Sequence, residues 1–137
     1  MDYLRGTDMN YFHKTGLVFL ASITLAACVS MSAGQSIVKT EKGILVSTNN
    51  MTLYTFDNDQ ANSGKSTCNG DCAINWPPLL VDVNATSYGG YSIITRDDGK
   101  KQFAYKGKPL YYFLMDKKPG EQKGNGYSNN TWHIVQM

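Results

Sequence analysis

Residues 53–59 read "LYTFDND" and residues 110–116 read "LYYFLMD", a phrase of strand character that ends in an acid. Leu, Tyr, Phe and the last Asp are common to both: Leu53 and Leu110, Tyr54 and Tyr111, Phe56 and Phe113, Asp59 and Asp116. With the two-residue period of a strand, Tyr54 and Phe56 share one face while Leu53 and Thr55 share the other. The second copy sets Tyr111 and Phe113 against Leu110, Tyr112 and Leu114. It is apolar on both faces, which predicts a central, buried strand.

The duplication extends outward from this phrase. At an offset of 56, Ser36-Ile37 matches Ser92-Ile93 and Gly43 matches Gly99; the motif itself matches at 57, and Trp76 meets Trp132 at 56 again. Collinear matches that slip by one residue at turns mark two diverged copies of one unit. Each copy reads as strands: "GILVST" and "MTLYTF" joined by Asn49-Asn50, "KQFAY" and "PLYYFL" joined by Lys106-Gly107. Lys42-Gly43 and Asp98-Gly99 supply the preceding turns, and further strands are expected at 36–40, 91–96 and 131–136. No segment after residue 28 sustains a helical period. The expected fold is all-β: two antiparallel strand repeats, about 36–80 and 91–137, related by a pseudo-twofold in a small sandwich or partly closed barrel. Residues 58–75 and 116–130 read as long loops at equivalent positions, where function tends to sit.

The start of the chain has a different character. Arg5 and Lys14 precede the apolar run "TGLVFLASITLAA" (15–27), which is short for a membrane span and leads straight to Cys28. This is the pattern of a secretory signal helix over 1–27, and "LAAC" matches a lipobox, with Cys28 the lipidated N-terminus and 29–35 a tether. Such a tether keeps the domain within roughly 15 Å of the bilayer. Met9 is an alternative start that gives a shorter leading segment. An uncleaved anchor helix is the competing reading. Export, outer-membrane or periplasmic placement, and membrane contact through the lipid follow as expectations.

Net charge is +2, from 13 Lys and Arg against 11 Asp and Glu. Loss of residues 1–27 removes two of each sign and leaves it unchanged. Such a weak balance gives no electrostatic footprint for nucleic acid, and Lys100-Lys101 and Lys117-Lys118 read as solvated turns. With Cys28 lipidated, Cys68 and Cys72 of "CNGDC" remain, and outside the cytoplasm such a pair defaults to a disulfide that shapes one loop.

"MTLYTFDND", "CNGDCAINWPPL", "FAYKGKPLYYFLMDKKPGE" and "WHIVQM", in that order, resemble a family of bacterial predicted lipoproteins named for a repeated Tyr-x-aromatic-x-x-Asp motif, also called the secreted repeat with a Y-x4-D motif. The resemblance covers nearly all of residues 36–137. It implies an exported, duplicated repeat domain and brings no substrate with it.

Candidate chemistry is sparse. Tyr54 and Asp59 are five positions apart and point to opposite faces of a strand, so the motif is not a side-by-side catalytic pair. The structural reading puts the tyrosine in the core and lets the aspartate accept backbone N–H groups of its loop. The functional alternative brings Asp59 and Asp116 together across the repeat axis to ligate a cation or ligand. Asp57 and Asp59 stand at positions one and three of a calcium loop, but Ala61 and Asn62 stand where an oxygen ligand and glycine are wanted. Cys68, Cys72 and His133 form a candidate copper(I) set with Met51 or Met115 as helpers, although Trp76 occupies the place where the dinuclear pattern has histidine. The mature chain holds one histidine, two glutamates and no Gly-x-Ser-x-Gly elbow, so no enzyme class is indicated. The aromatics, including Trp76 and Trp132, offer core packing or a stacking surface for an envelope glycan or protein partner. A non-catalytic binding or interaction module is therefore expected, with a periplasmic copper or redox protein as the alternative and no resident cofactor.

Overall fold

The structure is a computed structural model that describes residues 36–137; the segments expected as signal helix, lipidated Cys28 and tether lie outside the described residues. Ten short elements follow in order: β1 (Val38–Glu41), β2 (Ile44–Ser47), β3 (Tyr54–Phe56), α1 (Asp71–Asn75), β4 (Leu80–Val81), β5 (Tyr91–Thr95), β6 (Lys101–Tyr105), β7 (Lys108–Pro109), α2 (Tyr127–Asn130) and β8 (Trp132–Ile134). The architecture is all-β in antiparallel sheets: β1 with β2, β3 with β8, and β6 between β4 and β5 with β7 also on it. No closed barrel forms among the described residues.

Turn chemistry explains the slips between the copies. Lys42-Gly43 (φ +49° and +80°) and Lys106-Gly107 (φ +48° and +77°) both hold two successive positive-φ residues, the requirement of a tight hairpin turn. The other hairpin of each copy takes a longer loop that ends in one left-handed residue, Asn50 at φ +63° or Gly99 at φ +80°. In these, Ser47 N–H bonds Met51 C=O and Arg96 N–H bonds Lys100 C=O, both at 2.9 Å. The tight turn comes first in repeat one and second in repeat two, so the self-alignment cannot hold one offset.

The two motifs meet at the centre, the first in β3 and the second, expected as a full central strand, reduced to isolated bridges at Tyr111. Tyr54 and Tyr111 exchange backbone bonds with each other, N–H to C=O at 2.8 and 3.0 Å. Outside them, Tyr54 pairs with Ile134 and Tyr111 with Pro78, positions that are equivalent between the copies. The closing segment of each repeat is thus laid against the other repeat. Leu79 bonds Leu110 and Phe103 of repeat two, and Val135 bonds Leu45 and Leu53 of repeat one. This reciprocal exchange is the pseudo-twofold expressed in hydrogen bonds.

Two cores lie on opposite faces of that central pair. Leu53 and Leu110 join Val38, Leu45, Leu79, Phe103 and Val135 in an aliphatic core. Tyr54 and Tyr111 join Trp76, Trp132, Phe113 and Cys68 in an aromatic one. The apolar run of the second copy is buried through Phe113 and then leaves the core, since Leu114 is exposed. Both expected long loops carry a short helical turn, α1 or α2.

Gly124 backs onto the aromatic core, where an added Cβ would lie 2.7 Å from Trp76 Cη2 and 3.0 Å from Tyr54 Cε1. Both neighbours are buried rings without room to yield, so Gly124→Ala is expected to cost about 1–3 kcal/mol. A denaturant midpoint equal to that of the parent protein would refute this packing.

Candidate functional site

The two motifs act on each other. Tyr54 Oη donates to Asp116 Oδ2 and Tyr111 Oη to Asp59 Oδ2, each at 2.5 Å and each across the repeats. Both aspartates also close their own loops. Asp59 Oδ1 accepts from the Thr67 backbone N–H and hydroxyl, both at 2.7 Å, and Asp116 Oδ1 accepts from Lys123 N–H at 2.9 Å. The motif spacing that keeps a tyrosine from its own aspartate is what leaves it free for the other one. Burial, then the hydrogen bond to the carboxylate, pushes both phenols well above the ordinary tyrosine range.

Repeat two places a buried cation against the loop of repeat one. Arg96 NH groups donate to Gln102 Oε1 (2.7 Å), Cys68 C=O (2.7 Å), Ser66 Oγ (2.9 Å) and Asn69 Oδ1 (3.1 Å). Ser66 Oγ also lies 2.7 Å from Tyr111 Oη, so the guanidinium is linked through Ser66 and Tyr111 to Asp59. A buried carboxylate and a buried guanidinium are thereby joined through hydroxyls. Arg96, Ser66 and Gln102 were not singled out from sequence. Arg96 sits in "TRDDGKK", which has the composition of a solvated turn and gives no sign of burial.

Cys68 and Cys72 form a disulfide with Cα atoms 5.2 Å apart. The bonded sulfurs present no thiolate, and His133 Nε2 instead meets Asp57 Oδ2 at 2.9 Å on the surface, with Lys108 Nζ 3.9 Å from the same carboxylate. The copper set Cys68, Cys72 and His133 is therefore not assembled in this state. Met51 belongs to the β2–β3 hairpin, and Met115 lines an open cleft together with Trp76 and Phe113. Asp57 and Asp59 diverge, one to His133 and one into the core, which leaves no calcium loop. Asp59 and Asp116 are each engaged by a tyrosine and a loop N–H rather than by a shared ion. Among the described residues no three His, Cys, Asp or Glu side chains are grouped to hold a metal.

The duplicated Phe and Trp residues form one column, apart from a second aromatic cluster of Tyr88, Tyr91, Phe103 and Tyr105. Phe56 stacks on Trp132 (4.2 Å between centroids), Trp132 on Trp76 (3.7 Å, 1° between planes) and Trp76 on Phe113 (4.2 Å). The two equivalent indoles meet face to face, and each motif phenylalanine caps the tryptophan of the other repeat. Tyr54 and Tyr111 meet Trp76 and Trp132 edge-on at 5.4 and 5.2 Å. The indoles are presented differently: α1 closes with Trp76 N–H to Cys72 C=O at 2.8 Å, tying that ring to the disulfide, whereas the left-handed turn of α2 precedes Trp132.

Above the column opens a cleft of about 810 Å³. The column residues and Cys72 reach its floor; Asn58, Asn75, Lys123, Tyr127 and Asn129 stand around it. A second, smaller cleft of about 380 Å³ has a largely aliphatic wall that includes Ile37, Leu80 and Val81. The larger one joins the duplicated residues to exposed polar groups and is the candidate site.

Residues 36–80 and 92–136 each match the model of a family described as a secreted repeat of unknown function. The chain belongs to this family of secreted repeats. Both matches end just beyond the tryptophan of their repeat, so a secreted-repeat unit comprises the strands, the motif and the closing segment it lends to its neighbour. No curated protein and no solved structure matches the chain. Membership points to export, and among the described residues no helix is long and apolar enough to cross a membrane.

The raised phenol pKa values set an alkaline limit. Below about pH 10 the phenols are neutral in folded and unfolded chains alike; above it the unfolded chain ionises first, so stability falls as pH rises. Tyr54→Phe and Tyr111→Phe are each expected to cost about 1–3 kcal/mol at neutral pH, because a buried carboxylate loses a donor. They should also flatten the alkaline decline in melting temperature. Parent-like stability at pH 7 with an unchanged alkaline profile would count against the crossed pairs.

Proposed function

We propose that the chain is an exported lipoprotein of the bacterial cell envelope, anchored in the membrane through a lipid on Cys28, in the periplasm or at the outer membrane. Its duplicated domain is a non-catalytic binding module, and the cleft above the aromatic column is its binding site. The observation that carries this reading is the pairing of a frame crossed between the repeats with an open, polar-rimmed cleft of about 810 Å³, inside the roughly 300–1,000 Å³ range of small-molecule sites. Crossed hydrogen bonds and a disulfide hold the floor in place before any ligand arrives, which lowers the ordering cost of binding.

The lining argues for binding rather than turnover. Among the described residues Lys123 is its one amine, held in an ion pair by Glu121 outside the lining, and Tyr127 its one phenol, and the lining includes no carboxylate or histidine. General acid–base or nucleophilic catalysis needs a pair of such groups within hydrogen-bond reach. The partner is an envelope glycan or protein, reached from a membrane-tethered position.

Two variants test the two halves. Cys28→Ser should shift the protein from the membrane fraction to the soluble fraction, and continued membrane residence would remove the lipid anchor. A photo-crosslinking side chain in place of Asn129 should capture a defined envelope component that the same group at exposed Lys39 of β1 does not. Identical capture from both positions would remove the cleft from the account.

A further inference from the structure

Resting on the cleft as the binding site, we infer that its ligand is a neutral oligosaccharide. Charge speaks first. Among the described residues the cleft's one amine, Lys123 Nζ, lies 3.0 Å from Glu121 Oε1 and no carboxylate lines the cleft, so these residues offer no free charge to a phosphate, an acidic peptide or a basic one. Affinity must come from contact area and neutral hydrogen bonds.

The contact area is aromatic. Trp76 and Trp132 are 4% and 2% exposed and bring only ring edges to the floor. Tyr127 is different: it is 52% exposed, yet its ring is held 5.0 Å from Phe113 and 5.8 Å, edge-on, from Trp76. A half-exposed ring backed by two buried ones is a rigid amphipathic platform with little freedom to lose. The apolar C–H face of a pyranose fits such a platform, and its ring of hydroxyls requires neutral partners that both donate and accept. Side-chain amides meet that requirement, and Asn58 and Asn129 stand exposed on the rim.

The rim also has an unusual backbone. Ser128 (φ +53°), Asn129 (φ +57°) and Asn130 (φ +62°) are three successive non-glycine residues in the left-handed region. The turn is held by Asn130 N–H to Gly126 C=O at 3.1 Å and Thr131 Oγ1 to Ser128 C=O at 2.9 Å. Backbone conformations that cost energy persist where the surrounding structure imposes them, and they cluster at ligand clamps. Here the left-handed turn sets Ser128 and Asn129 on the cleft beside Tyr127.

The test titrates the full-length protein with N-acetylchitotetraose and with cellotetraose, two neutral oligosaccharides with and without acetamido groups. Tryptophan fluorescence reads the floor directly. Saturable binding of at least one sugar is expected, weakened about fivefold or more by Tyr127→Ala, largely retained by Tyr127→Phe, weakened by Asn129→Ala and untouched by Lys39→Ala. Equal affinities for the parent and Tyr127→Ala would overturn the inference. So would the lack of any response to either sugar at millimolar concentration. In that second case, a component still crosslinked from position 129 leaves the cleft standing as a site for a protein partner, whereas no capture removes the cleft as well.

Discussion

The structure turns on a pair of hydrogen bonds that each repeat cannot make alone. Tyr54 reaches Asp116 and Tyr111 reaches Asp59, while each aspartate uses its other oxygen on its own loop. A buried carboxylate is expensive unless its lone pairs are engaged, and here the engagement comes from both copies at once. One repeat in isolation would hold a phenol without its acceptor and a carboxylate without its donor. Duplication is therefore a condition of the fold, and the motif is a joint between two units.

Everything nearby repeats this exchange. The closing segment of each copy pairs with strands of the other, each motif phenylalanine stacks on the other copy's tryptophan, and the two tryptophans lie on one another at the centre. Aromatic pairs of this kind contribute roughly 0.5–1.5 kcal/mol each beyond their burial, so the column is a substantial part of the cohesion between repeats. The copies differ where the loops cross the column. Repeat one fixes its indole with a disulfide and a turn of helix, and its cysteine loop receives Arg96 from repeat two; repeat two precedes its indole with a left-handed turn, where Gly126 N–H bonds Trp132 C=O.

Much of this fold was legible in the sequence because it is written in periodicity and turn residues. Alternation along 53–56 and 110–113 predicts the two faces, and Lys42-Gly43 and Lys106-Gly107 announce hairpins. The loop role of the aspartates was legible too, since an acid just past a strand has backbone N–H groups within reach. Their tyrosine partners were not. A contact between Tyr54 and Asp116 depends on how the copies dock, and nothing in a local window encodes that. Arg96 was hidden for a related reason: its acceptors, Ser66, Cys68, Asn69 and Gln102, are scattered along the chain and converge only in the folded state. The loops that bear the cleft's rim, Asn58, Tyr127 and Asn129, were legible as the segments where function tends to sit, but the cleft itself was not, because it exists only where the two loops meet over the aromatic column.

The crossed pairing has a direct test in double-mutant cycles on folding stability. Tyr54→Phe combined with Asp116→Asn should show a coupling energy of about 0.5–3 kcal/mol, while Tyr54→Phe combined with Asp59→Asn, the aspartate of its own motif, should be additive within about 0.5 kcal/mol. Strong coupling of Tyr54 to Asp59 and none to Asp116 would contradict the account, because it would return the motif to a unit that each repeat completes by itself.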